Sequence, residues 1–464
     1  MTRSRDLTTG SITGHFRALA IPAAIGMVFS TLYNAVDIYF AGILNTGAQA
    51  GLAIAFQAFF VLIAIGFGLG AALSTLVGNA IGRKDEEDTK AKTAQGIGFG
   101  LIASLALMII GAWLGPEMIA VLSKPGAYRD ASISYFSLLL LSAPAFVLAF
   151  GGNGILQALG DAVSMQYALF VAFFANIILN PLFIFGVPGV WDGIGFNGIA
   201  LSTIVSQTGV MAYVIWRVFR SETATGLTLS AFWPRLMDYR QIFAQLLPTS
   251  FAMIVMMLAG FVVQFYLKSF GEAAVAAYGI ALRVEQLFLL PVFGLTGALL
   301  PIVAQNYGAG HNARVREALF SCWKIGLLYM CVACPILWFA AEITMRIFTG
   351  DADVIEIGVS YLHVDGVILP LYMMLFAINS FLQALKKPIW TLWIGIYRQA
   401  FAVAFFVWIY VVLLDFGVWG VWYGIATSVV TGLALSLVVA HLISKPLTGG
   451  LFITTPVSVS GSAQ

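Results

Sequence analysis

Charge is what this sequence has least of. Asp, Glu, Lys and Arg make up 9% of its 464 residues, against about 25% in soluble domains. Such a chain cannot cover a water-facing surface, and its mean hydropathy of +0.94 assigns it to lipid. The net charge of +2 is too small to make nucleic acid a partner. Cysteine occurs three times, all between Cys322 and Cys334. Cys331 and Cys334 form a C-x-x-C in an apolar run with no second ligand pair, so a zinc or redox role lacks its setting, and the thiols read as small packing residues. The four histidines, at 15, 311, 363 and 441, stand far apart. That leaves no H-E-x-x-H, and argues against a membrane-embedded enzyme. Without a G-x-x-x-x-G-K-[ST], ATP is not the direct energy source. The polar start MTRSRDLTTG leads to no short apolar core with a cleavage site, so the first apolar run is expected to be retained.

What is abundant is long apolar sequence. Runs of about 20 apolar residues are the length needed to span a bilayer as helix. Polar breaks leave twelve, near 17–43, 50–81, 93–115, 131–158, 166–187, 194–217, 243–268, 274–307, 317–341, 357–385, 389–413 and 418–443. With both termini and all even-to-odd loops on one side, that side holds sixteen basic residues, among them Arg3, Arg83, Lys90, Arg217, Arg240, Arg314, Lys386 and Lys445. The other side holds four, Lys124, Arg129, Lys268 and Arg346. The positive-inside rule places the first side in the cytoplasm.

The chain also matches itself at a shift of 226 residues without gaps. FGLGAALSTLVGNAIG from Phe67 lands on FGLTGALLPIVAQNYG from Phe293, and NGILQAL from Asn153 on NSFLQAL from Asn379. Pro22 meets Pro248, and Pro144 meets Pro370. Six spans per repeat is an even number, so the halves share one orientation. The expected fold is an all-α membrane protein of twelve transmembrane helices, in two six-helix bundles related by a parallel pseudo-two-fold repeat. Its parts are a cytoplasmic tail (1–16), an N-terminal bundle (17–217), a cytoplasmic linker (218–242), a C-terminal bundle (243–443) and a second tail (444–464). In this plan, familiar from secondary transporters, the substrate path runs between the halves.

LYNAVDIYFAG in the first span, NIILNPLFIFG from Asn176, GIGFNGIALST before the sixth span and AAYGIALRVEQ from Ala276 together resemble the multidrug and toxic compound extrusion (MATE) family. The resemblance covers nearly the whole chain. It implies export of organic, often cationic, small molecules by antiport with protons or sodium ions, with no other cofactor. It implies a multi-pass protein of the cell (inner) membrane, acting as a monomer. The chain is more similar to the DNA-damage-inducible branch, which uses an acid in the first helix, than to the NorM-type sodium pumps. The further acids of the latter fall at Met256 and Tyr372. The acid branch often has Asp where this chain has Asn180. A flippase for a lipid-linked precursor is the rival reading, weakened by the few basic residues within the spans.

Asp37 is the main site candidate. A carboxylate at the centre of a span costs about 2.5–3.5 kcal/mol on insertion scales and marks a functional interior. The matching residue of the second half is Val263, so the fold does not require an acid there. Tyr33 and Asn34 precede it by about one turn. Asn176 and Asn180 share a helix face, and Pro181 frees the carbonyl of Ile177. With Thr203, the family's hydroxyl in the sixth helix, these are the expected cation-coupling residues for H+ or for Na+ at Asp37: Asp37, Asn34, Asn176, Asn180 and Thr203. Interhelical hydrogen bonding is the plainer role for the amides and Thr203. Tyr33, Gln57, Asn153, Gln157, Arg283 and Gln383 are candidates for the substrate path. The other charges within spans, Arg283, Glu285, Lys324, Asp365 and Arg398, are expected mostly as structural pairs, and His363 as a packed ring.

Overall fold

A computed structural model describes residues 5–452. The ends of the expected tails, 1–4 with Arg3 and 453–464, lie outside the described residues. Among the described residues, twelve helices are long and apolar enough to cross a membrane. They are α1 Ile12–Leu44, α2 Thr46–Gly82, α3 Glu86–Leu122, α4 Tyr128–Ala158, α5 Val163–Phe185 and α6 Asn197–Phe219, followed by α7 Leu236–Phe270, α8 Glu272–Gly308, α9 Asn312–Phe348, α10 Ala352–Ala384, α11 Pro388–Leu413 and α12 Gly417–Thr448.

Several helices outrun their apolar segments, because hydropathy marks only the stretch that meets lipid. α3 starts at Glu86 and not near 93. Asp85 caps it by accepting from the Asp88 N–H, and Glu86, Glu87 and Asp88 fill its first turn, where negative charge meets the free N–H groups. α10 likewise starts under Asp351, which accepts from the N–H groups of Asp353 and Val354. α7 begins at Leu236, inside the expected linker. What remains of that linker is pinned to α3: the Gln95 amide donates to the carbonyls of Ala231 (2.7 Å) and Trp233 (2.8 Å). Two features were not legible in the pattern. A small hairpin, β1 Gly186–Val187 and β2 Trp191–Asp192, joins α5 to α6. α11 opens into wide π turns at Tyr397–Ala402 and Ile409–Leu413.

Packing repeats from half to half. α2 lies on α4 and α3, and α4 on α6; α8 lies on α10 and α9, and α10 on α12. Between the halves, α1 packs on α8, α7 on α2, and α2 on α8. A shift of one half onto the other exchanges the first two contacts and maps the third onto itself. The two bundles are therefore related by a parallel pseudo-two-fold axis passing between α2 and α8.

Glycines at the seam obey the same symmetry. A Cβ on Gly82 would overlap the Gln305 carbonyl, and one on Gly308 the Asn79 carbonyl. Gly68 faces the Leu246 carbonyl and Gly294 the Ala20 carbonyl in the same reciprocal way. The side-chain amides of Asn79 and Gln305 each cross the seam, to the carbonyls of Ala384 (3.2 Å) and Ala158 (2.7 Å). Lys92 joins Asp238 at 2.5 Å. Leu7, fully buried, donates to Gln305 at 2.9 Å and accepts from Asn306 at 3.0 Å. These bonds between the halves all lie at the end that carries the basic loops, here called the basic end. There the seam is shut.

Candidate functional site

Asp37 sits in the last third of α1, which ends at Leu44, and is 7% exposed. On α1 the buried positions Gly26, Tyr33, Asp37 and Ala41 form one line, spaced by seven, four and four residues as one helix face requires. That line faces α5 and α6. From α5, the amides of Asn176 and Asn180 both donate to Asp37 Oδ1, at 3.1 and 2.9 Å. Their i, i+4 spacing also lets Asn180 donate to the side-chain oxygen Oδ1 of Asn176 at 3.0 Å. From α6, the Thr203 hydroxyl donates to Oδ2 at 3.3 Å. Tyr33 shares a hydrogen bond with Ser206 at 2.6 Å, and Ser202 accepts from Asn176 at 3.3 Å. Every donor to Asp37 is neutral, and no described ion pair includes it. The amide oxygen of Asn180 is buried and has no partner.

Four of the five expected cation-coupling residues thus converge. Asn34 does not: it is exposed and donates to the Ser30 carbonyl at 3.1 Å. One residue along a helix is a 100° rotation, which takes Asn34 off the face that Tyr33 shares with Asp37. Ser202 and Ser206 were overlooked, although with Thr203 they form a hydroxyl stripe on α6 at helical spacing.

The substrate-path candidates scatter. Tyr33 belongs to the wall of the Asp37 site. Gln57, Asn153 and Gln157 are half-buried, and Arg283 is exposed. Gln383 lies at the basic-end seam. It accepts from Thr249 at 2.5 Å, and its carbonyl accepts from Thr75.

Charges in the C-terminal half are arranged differently from expectation. Glu285, Asp365 and Arg398 are buried, yet no described ion pair joins them. Glu285 accepts from the Tyr361 hydroxyl at 2.6 Å. The Arg398 guanidinium lies over the Tyr372 ring, 5.2 Å from its centre. Asp365 is fully buried with neither carboxylate oxygen bonded. Arg283 and Lys324 are exposed and join no ion pair among the described residues. For Glu285 and Arg398, tyrosines supply the contacts that opposite charges were expected to supply. His363 is packed as expected, stacked on Trp338 at 4.3 Å. The cysteines are free, and Cys322 is buried. Among the described residues, no group of three His, Cys, Asp or Glu is placed to hold a metal ion.

Twelve spans in two like halves, shut against each other at one end and with a polar site inside one half, make the architecture of a membrane transporter. The chain belongs to the MatE family: the family model matches residues 22–182 and again 248–409, and its second match begins at Pro248, the partner of Pro22 under the repeat. The multidrug export protein MepA of Staphylococcus aureus (strain MSSA476) is 25% identical over 368 residues, 79% of this chain and 80% of that protein. The FAD transporter of Shewanella oneidensis is 26% identical over 344 residues, 73% and 75% of the two chains. A crystal structure of MATE in complex with MaL6 superposes with a TM-score of 0.89 at 24% identity, covering 96% of this chain and 99% of that one. An outward-facing multidrug resistance MATE family transporter gives 0.87 at 25% identity, over 96% and 99%. These relatives are transporters, not enzymes, and the chain is a multi-pass membrane protein of the multidrug-efflux type.

Proposed function

We propose that the chain is an antiporter. It exports organic compounds from the cytoplasm across the cell membrane while a cation flows inward through the Asp37 site. The observation that carries this reading is a buried carboxylate served only by neutral donors. Loss of water disfavours the charged form of such a group, and no basic side chain offsets the cost. An incoming proton or sodium ion removes it. Turning over the Asn180 amide would bring its oxygen, which has no partner, to Asp37 in place of the nitrogen, where it accepts a hydrogen bond from a protonated Asp37 or ligates Na+ beside it. With Asn at 180 in place of the acid common in the related branch, one carboxyl serves alone, and a proton needs fewer oxygen ligands than a sodium ion.

Cation binding drives transport only through a difference in affinity between two conformations. α1 connects the two events. Its last third carries Asp37, and its start, with Ile12, Phe16 and Leu19, is packed among residues of the C-terminal half. Pro22 lies between them and weakens the helix there. A change at Asp37 is thereby transmitted to the seam, and alternating access follows from opening that seam and closing the opposite end. In this reading the basic end and both termini are cytoplasmic, and one copy of the chain suffices.

Purified protein in vesicles, loaded with a fluorescent substrate, tests the reading. An imposed proton gradient should drive movement of the dye against its own gradient, and a sodium gradient should not. Movement that ignores both gradients would defeat the antiport reading.

A further inference from the structure

The direction in which α8 faces the other half is marked by Gly294, whose missing side chain admits the α1 backbone at Ala20 and Ala24. Arg283 lies eleven residues earlier. α8 continues as a helix through Pro291, which lies between them, and at 3.6 residues per turn that spacing returns to within about 20° of the same direction. Arg283 therefore points at the other half as well. At about 1.5 Å per residue it lies about 16 Å farther from the basic end than Gly294. There Arg283 is exposed, so the halves have parted at its level. α1 runs opposite to α8, and an equal climb from Ala20–Ala24 reaches residues 31–35. Asn34 lies in that stretch and is also exposed. A guanidinium and an amide thus stand at the same depth on two walls of one cleft.

Four helices, α1, α2, α7 and α8, bring the halves together. Away from the ends of their apolar segments, where Arg17 and Lys268 stand, they carry three charges: Asp37 and Glu285, both buried, and Arg283. Arg283 is the exposed one, and it joins no described ion pair. Its counterpart under the repeat is Gln57, which is neutral. The cleft therefore presents positive charge with no acid facing it. Closing the cleft around cargo would strip water from that charge, and burial of an unpaired charge is strongly unfavourable.

We propose that Arg283 binds an anionic group of the transported compound, a phosphate, sulfonate or carboxylate, with Asn34 as a second donor from the opposite wall. This rests on the export reading and narrows it: the substrates are amphiphiles bearing a negative group, and not lipophilic cations alone. The planar guanidinium fork suits such a group, because it donates two parallel hydrogen bonds to one oxyanion. An anion also neutralises the wall and lets the cleft close.

The test uses the full chain in phosphatidylcholine nanodiscs and two probes that differ by one phosphate, flavin mononucleotide and riboflavin. Wild type should bind the phosphorylated flavin at least about tenfold tighter, a difference of about 1.4 kcal/mol. Arg283→Gln should abolish that preference, while Arg283→Lys keeps part of it and reports on the site if the Gln variant does not fold. Binding of a cationic dye such as ethidium should be unchanged or tighter in Arg283→Gln. No phosphate preference in wild type, or an unchanged preference in both variants, would overturn the proposal. So would equal weakening of all three probes, which makes Arg283 a structural residue. Loss of flavin mononucleotide binding on adding phosphatidylglycerol would give the site to a lipid headgroup and overturn it as a substrate site. Binding needs no ion gradient, so a phosphate preference without gradient-driven export would contradict the antiport reading alone.

Discussion

The two halves share helix order and packing, yet they keep their buried charges in opposite ways. In the N-terminal half, Asp37 is met by Asn176, Asn180 and Thr203. In the C-terminal half, Asp365 has no hydrogen-bond partner among the described residues, Glu285 is met by a tyrosine hydroxyl, and Arg398 by a tyrosine face. Each charged position matches a buried apolar residue in the other half: Asp37 matches Val263, Glu285 Phe59, Asp365 Leu139 and Arg398 Ala172. The bundle thus folds with either kind of residue at every one of these places. The charges are additions to a common scaffold, and only one of the two groups is built to hold a carboxylate.

The comparison can be broken first at the seam, where the halves are alike. Leu at Gly82 or at Gly308 should prevent closure of the basic end to the same extent, because each glycine admits a carbonyl of the other half. Overpacking of this kind costs about 1–3 kcal/mol or more. A cysteine introduced at Thr75, in a background without Cys322, Cys331 and Cys334, should then label much faster from the basic end. Unequal effects of the two substitutions would show that the seam is not symmetric.

Stability should separate the halves by sign. Asp37→Val leaves two buried amides and a hydroxyl short of an acceptor and should destabilise by about 1–3 kcal/mol. Asp365→Leu removes a buried group that has no partner, and supplies the side chain that the N-terminal half already uses at Leu139. It should leave the melting temperature unchanged or raise it. Thermal unfolding in detergent gives both values, and a lower melting temperature for Asp365→Leu would mean that Asp365 has a partner in the folded protein.

A finer contrast lies within the N-terminal half. Asn180→Ala removes a donor to Asp37 and should alter the pH profile of export. Asn34→Ala should leave that profile in place, since Asn34 points elsewhere. An equal change in both profiles would return Asn34 to the cation site.

The smallest effect concerns Asp161, between α4 and α5, whose counterpart in the second half is Lys387. Burial pushes its carboxyl up, but hydrogen bonds from Ser164 and Arg217 outweigh burial and hold it below the usual value. Arg217 reaches it at 2.6 Å. A lowered value means that the pair stabilises the fold above the unfolded-state value, and that this contribution is lost as pH falls through the folded one. Asp161→Asn should therefore cost about 1 kcal/mol near neutral pH, and nothing in strong acid. Lys387→Met should cost nothing at either pH.

Much of this was legible in the sequence, and for identifiable reasons. Spans are set by apolar length, and the repeat by an ungapped shift, so the twelve helices and the two bundles could be read directly. Asp37 stood out because a lone acid in lipid is expensive, and Asn176 with Asn180 because their spacing is helical. Asn34 was misplaced because a spacing of three residues leaves it about 60° round the helix from Asp37, on the exposed side, away from Tyr33. The C-terminal charges were misread as ion pairs because sequence gives the charges and not the rings between them: Tyr361 and Tyr372 come from another turn or another helix. The π turns of α11, which set where Arg398 points, leave no mark in hydropathy.

The measurement that bears most directly on Asp37 is export by Asp37→Asn, at wild-type expression, across a range of pH. Asn has the shape of a protonated Asp and cannot release a proton, so the variant should insert and fold yet lose gradient-driven export at every pH. Undiminished export would make Asp37 a structural residue and move the cation site elsewhere, with Asp365 the first place to look.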